Sequence, residues 1–564
     1  FKKMVSERRK EHLLKFLIGL VAVVILNQLI SMYPIRFDLT EEKRFSISDA
    51  SKQLLKSLDD VIYVEVYLEG ELPSGFKRLR KSIEETLEDF EFYAGSNIQY
   101  KFIDPSVAKS KQARNEFYRS LVDKGVLATN VNYEQNGNKT EKLIFPGAVL
   151  SYYGQEKGVI LFKGNQAVGP EERLNQSIEG IEYELASTIR TLATDQRKKI
   201  GMITGHGEPD SLNIAGLNNA LLEKYDLAYV SISEAKRPLN SYDAMIIAKP
   251  TLAFTEQEKY KLDQYIVNGG KALFFLDGLQ VNMDDAVNGE GTVAIPYELN
   301  LTDLLFKYGV RINQNFIQDV FSGQFPVIAG NEGEESQLRM LPWPFFPDIN
   351  TFGDHPIVKN MDAISMKFVS NIDTVKAVGI KKTPLLYTSQ YSRVLAAPVR
   401  IAMNDLQKNL DPNLFNKGQQ AVGYLLEGKF SSLYKNRIFP KGVDKSDFKD
   451  EGVETAIIVC SDGDMVRNGF NLKTGAPLDL GIDAYTQVTY ANKDFILNSL
   501  EYLLNDNGII TAKAKEIKLR PLDKVKVAEE KTKWQVINLV LPIVLLILYG
   551  IGRQYFRKKK YANF

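Results

Sequence analysis

Lys199-Ile200-Gly201-Met202-Ile203-Thr204-Gly205-His206-Gly207-Glu208-Pro209-Asp210 is the stretch on which the fold turns. Its first six residues carry no polar alternation beyond Lys199, so they read as a strand buried on both faces. Two glycines and a proline then end the strand in a turn. Downstream, the apolar pattern Ser211 to Lys224 predicts a helix, followed by a short strand Ala228 to Ile232. Tyr242 to Lys249 is a second apolar strand, Thr255 to Asn268 a helix closed by Gly269-Gly270, and Lys271 to Asp277 a third strand. Apolar strands alternating with helices specify a doubly wound parallel sheet covered on both faces. The rhythm resumes at Thr455 to Ser461 and closes with a helix at Lys493 to Asn505.

Residues 196–510 therefore form one α/β domain, interrupted by an insertion at about 278–450. A segment that long is too great for a loop and must hold secondary structure of its own. Upstream, residues 33–195 read as a separate α/β domain. Val61 to Leu68 is β-branched and aromatic, Leu79, Ile83, Leu87 and Phe90 line one helical face, and Ile98 to Ile103 is a second strand. This strand–helix–strand run is thioredoxin-like in outline, without a CxxC redox pair. Strands near 143–152 and 157–163 and a helix from Ser177 to Leu192 complete it.

The formal net charge of +1 hides an uneven distribution. Removing the 11 basic and 2 acidic residues of 1–15 and 553–564 leaves 60 basic against 68 acidic residues, a net of −8 for the middle. No positive face for nucleic acid follows from such a chain. The basic ends flank two uncharged runs, 16–32 and 534–552, each long enough to cross a bilayer. Lysine and arginine outside both runs place both termini in the cytoplasm and residues 33–533 outside it. The sequence thus predicts a two-pass protein of the bacterial inner membrane with a large periplasmic region. Segment 1–15 is a basic cytoplasmic N-terminus and 553–564 a basic cytoplasmic tail. A cleaved signal peptide is the alternative for 16–32, but Ser31 to Arg36 offers no A-x-A-like site. Residues 511–533, with 12 charged residues among 23, read as a solvated connector.

Gly205, His206, Gly207, Glu208 and Asp210 are the candidate binding residues, because open α/β sheets take ligands at the carboxyl ends of their strands. His206, Glu208 and Asp210 are residue types that act as acid, base or ligand. The same pattern also serves as a plain strand-to-helix turn, with glycines supplying unusual backbone angles and an acid facing a helix N-terminus. Asp277, Asp284-Asp285 and Asp462-Gly463-Asp464 suggest a cation site, although acids after strands are commonly turn formers. The doubly wound pattern resembles class I glutamine amidotransferase-like sheets, whose cysteine nucleophile stands on an elbow. Here the sole cysteine, Cys460, lies within an apolar run and lacks an activating neighbour. No Gly-x-x-x-x-Gly-Lys-[Ser/Thr] phosphate cradle occurs, so ATP hydrolysis would fall to another subunit. The expectation is a protein that is no enzyme and has no catalytic residue, resident metal or cofactor.

Arg36 to Ser48 (RFDLTEEKRFSIS), Val66 to Leu79 (VYLEGELPSGFKRL), the Thr204–Asp210 turn and Glu516 to Asp523 (EIKLRPLD) together resemble the auxiliary proteins of ABC transporters. The resemblance is strongest to the gliding-motility GldG family of Bacteroidota, and it spans the chain, including an anchor at each end. It implies a non-catalytic auxiliary subunit beside a GldF-like permease and a GldA-like ATPase, in a system linked to gliding and type IX secretion. Membrane lipid is then the other partner, and a homodimer within the complex matches the two equivalent docking sites of a paired permease. A membrane-anchored periplasmic receptor for a solute or glycan is the alternative, and a hydrolase built on His206 ranks last.

Overall fold

The computed structural model describes residues 2–32, 46–107, 110–135, 138–194, 197–234, 239–287, 291–332, 335–407, 411–443, 446, 448–504, 508–514 and 524–561. The segments Arg36–Phe45 and Glu516–Asp523 quoted above lie outside these residues. The chain divides into two compact units, Phe1–Glu516 and Ile517–Phe564.

The first unit opens with helix α1 (Lys2–Met32), in which the basic N-terminus and the first apolar run are one continuous helix. A small mixed sheet follows, built from β1 (Ile62–Val66), helix α2 (Ser74–Ala94), β2 (Ile98–Phe102) and the hairpin β3 (Gly147–Tyr152) and β4 (Gln155–Ile160). Its order is β2-β1-β3-β4, with β1 and β2 parallel and the other pairs antiparallel. Leu79, Ile83, Leu87 and Phe90 of α2 are fully buried, as their three-to-four spacing requires. Helix α3 (Pro170–Ala193) begins with Pro170 in its first turn, where a missing N–H costs nothing, and Glu171 and Glu172 complement the helix dipole.

Strand β5 (Lys199–Thr204) starts the large sheet. It leads through helix α4 (Ala215–Leu222), β6 (Asp226–Ser231), β7 (Ala244–Ala248), helix α5 (Glu256–Val267) and β8 (Ala272–Phe275). The insertion contributes β9 (Thr351–Phe352), β10 (Ile380–Tyr387) and β11 (Ala421–Ser431), and β12 (Glu451–Cys460) returns to the middle before helix α6 (Asn492–Leu504). The eight strands are ordered β9-β10-β11-β12-β8-β7-β5-β6. The five from β6 to β12 are mutually parallel, and those supplied by the insertion are antiparallel to their neighbours. The parallel half matches the apolar strands read from the sequence. The insertion is more than a lodger, since it widens the same sheet by three strands. It also has a core of its own, where Trp343, Phe345, Phe346 and Phe368 pack ring against ring.

The two sheets share one core. Ile181, Leu185 and Ile189 of α3 belong to the same buried cluster as Val64 and Leu150 of the small sheet and Ile200, Leu273 and Ile458 of the large one. Each such side chain contributes about 1.5–3 kcal/mol on burial. The 3₁₀ turn Ile509–Ala514 joins this core through buried Ile509, Ile510 and Ala512. The connector expected at 511–533 is thus packed at its start. Its end is also helical, because α7 (Lys524–Tyr561) begins ten residues before the apolar run. Among the described residues, Glu529–Lys560 is long and apolar enough to cross a membrane, with a mean hydropathy of 2.2, and Leu13–Gln28 is a shorter apolar stretch of α1.

Candidate functional site

In the parallel half of the sheet the chain leaves β5 first toward β6 on one side and then toward β7 on the other. The crevice between the carboxyl ends of β5 and β7 is the topological switch point, where folds of this class take their ligands. The turn Gly205–Asp210 follows β5 there, and Lys249 follows β7.

Gly205 and Gly207 have φ of 110° and 73°, in the left-handed region that favours glycine. A Cβ on Gly207 would also collide with the Thr251 hydroxyl, which donates to the Gly207 carbonyl. Between these glycines the His206 ring is buried and stacked on Phe254, with centroids 3.6 Å apart and planes inclined by 9°. Its Nδ1 lies 3.3 Å from Glu208 Oε1 and its Nε2 3.3 Å from Glu258 Oε2. Burial opposes a charge on the ring, but hydrogen bonds to Glu208 and Glu258 outweigh it and raise the His206 pKa. Glu258 is pushed the other way. Burial raises its pKa, yet the Thr255 N–H and hydroxyl and the His206 ring lower it overall. Glu258 is also the reciprocal partner of Thr255 in the capping box that starts α5. The backbone N–H groups of Thr251 and Leu252 both donate to the His206 carbonyl. Both ring nitrogens are therefore engaged within the protein, and His206 ties the β5 turn to the start of α5.

Asp210 stands apart from that pair. Its Oδ1 accepts from the backbone of Leu212 and Asn213 and from the Asn213 side chain, which turns the chain toward α4. These bonds hold its pKa below the ordinary value. Of the five sequence-predicted residues, His206 and Glu208 converge in one buried pair, the two glycines shape it, and Asp210 builds a neighbouring turn.

A second cluster completes the rim. Lys249, with φ of 50°, extends its ammonium to within 2.5 Å of Asp277 Oδ2 after β8 and 2.7 Å of Asp464 Oδ2 after β12. Asp277 Oδ1 accepts from the Gly463 N–H, while Asp462 accepts from the backbone of Asp464 and Lys367. Burial, then the charges of Asp464 and Asp277, raise the Asp462 carboxyl well above its ordinary value. Burial raises the Asp464 carboxyl too, but Lys249 and Lys367 outweigh it and bring the value down to about 2. Arg467 then links Asp464 to Asn213, joining this cluster to the Asp210 turn. Oxygens of Asp277, Asp462 and Asp464 lie within 4.8 Å of one another, a spacing suited to a divalent ion. The Lys249 ammonium is bonded to two of the three, Asp277 and Asp464. Sequence reading marked the acids but missed Lys249, which sits in an apolar strand-end context with nothing to flag it.

Cys460, the last residue of β12, is fully buried, and burial pushes its thiol pKa up, away from the thiolate a nucleophile needs.

This arrangement defines an α/β protein whose strand-end crevice is cross-braced from within. Residues 197–499 match the family described as an ABC-type uncharacterized transport system, and the chain belongs to that family of transport auxiliary components. Residues 41–151 match a domain of unknown function, DUF7088. An uncharacterized protein of Borreliella burgdorferi is 20% identical over 575 residues, covering 99% of this chain and all of that protein. Among solved structures, the mmIFT52 N-terminal domain is similar over 54% of this chain and 97% of its own, at 13% identity and a TM-score of 0.30.

Proposed function

We propose that the protein is a non-catalytic, membrane-anchored subunit of an ABC-type transport assembly, working beside a permease and a separate ATPase. Family membership over residues 197–499 carries this reading. It is supported by the strand-end crevice, where His206 is paired with Glu208 and Glu258, and Lys249 with Asp277 and Asp464. In this reading α1 and α7 cross the inner membrane, both termini lie in the cytoplasm, and the rest of the first unit stands in the periplasm. The sequence likeness to gliding-motility auxiliary proteins extends the proposal to a system serving gliding and type IX secretion.

The placement is tested by cysteine labelling. Cys460 is fully buried and leaves little background. A membrane-impermeant maleimide applied to cells with a permeabilised outer membrane should label Val378→Cys, an exposed position, directly. It should label Lys559→Cys only after the inner membrane is breached. Labelling in the reverse order would refute the topology.

A further inference from the structure

A cavity of about 120 Å³ opens at the other end of the large sheet, away from the switch point. Its wall carries Arg190 from the end of α3, Arg197 and Lys198 ahead of β5, Glu223 and Lys224 after α4, and Glu501 from α6. The space is large enough for several waters or one tetrahedral oxyanion.

Among the described residues, cations outnumber carboxylates there. Glu501 is taken by Arg190 at 2.8 Å, by Lys224 at 3.7 Å and by the Tyr183 hydroxyl at 2.9 Å. Glu223 is taken by Lys493 at 2.8 Å and Lys157 at 3.9 Å, and Lys198 has Asp243 at 3.4 Å. Among the described residues, these pairs and Arg197 thus bring six cations to three carboxylates in and around the cavity. The adjoining Lys163 and Lys513 are offset by Glu184 and Asp494, which leaves the excess unchanged. Burial lowers the Lys157 pKa; Glu223 opposes this, while the like charges of Lys224, Lys493 and Arg197 add to it, a mark of crowded cations. Arg197 donates to the Leu222 carbonyl at 2.9 Å, which fixes its guanidinium along the wall.

We propose that this cavity binds a phosphate-type oxyanion, either free or as the headgroup of an acidic phospholipid. Guanidinium and ammonium donors converging on one small space are the groups that recognise such anions. The site lies outside the strand-end crevice and does not depend on the transport reading.

The test is calorimetric titration of the full-length protein in detergent with inorganic phosphate at constant ionic strength. One-to-one binding is expected, weakened about tenfold in Arg197→Gln and in Lys224→Gln, the loss of one charge-assisted bond. Arg197 is exposed, so its variant keeps the fold, as unchanged circular dichroism would verify. Repeating the titration in nanodiscs separates the sources. Binding that persists in phosphatidylglycerol discs identifies a free phosphate compound. Binding seen in phosphatidylcholine but blocked in phosphatidylglycerol identifies the lipid headgroup. Absence of one-to-one binding in detergent, or equal binding by wild type and both variants, would overturn the proposal.

Discussion

His206 is gripped by two carboxylates and an aromatic ring, and its contribution depends on its proton. Because the folded protein raises its pKa, the ion pairs are complete below about 6.5, the ordinary imidazole value, and fade as pH climbs through the folded value. His206→Gln should therefore cost about 1–3 kcal/mol at pH 6 and less at pH 9, read from unfolding midpoints. A cost that grows with pH would contradict the pairing. Lys249 answers two buried acids, so Lys249→Met should destabilise by about 3–5 kcal/mol. Adding Asp277→Asn should recover part of that loss, and failure of the second change to help would show that the ammonium is not the brace. The Thr204–Asp210 turn was legible from its glycines and its place after an apolar strand. Its inner wiring was not, because Glu258 arrives from α5, far along the chain. Likewise Lys249, Asp277 and Asp464 follow three different strands, and each alone reads as an ordinary turn residue.

The parallel strands announced themselves because β7 and β8 are buried on both faces and hold uninterrupted apolar residues. Helix α2 was equally plain from the stripe Leu79, Ile83, Leu87 and Phe90. The insertion was opaque for a physical reason. Its strands β10 and β11 run antiparallel to their neighbours and carry Lys381, Lys382 and Glu427, so the short apolar run Ala421–Leu426 has no strand–helix rhythm around it to mark its membership of the large sheet. Helix α5 is where element and site meet, since its capping box uses the carboxylate that also holds His206. Thr255→Ala should cost about 1 kcal/mol through the lost cap. The loss should be smaller in a His206→Gln background if Glu258 serves both partners, and a double-mutant cycle on thermal unfolding measures that coupling. Strict additivity would separate the cap from the histidine.

Across the whole molecule, the sequence showed its ends most clearly: basic residues bracket two apolar runs, and the acidic middle holds the α/β folds. It did not show that the small and large sheets share one core, because that depends on α3, whose Ile181, Leu185 and Ile189 sit in a buried cluster common to both. The accessory role proposed for such a unit rests on its membership of an ABC transport family. The most direct test is purification of the protein from its own membranes in gentle detergent, followed by mass spectrometry of what accompanies it. The account predicts a multi-span permease and a Walker-motif ATPase in fixed proportion to this chain. Recovery of the chain without them, across several detergents that leave other membrane complexes intact, would contradict it.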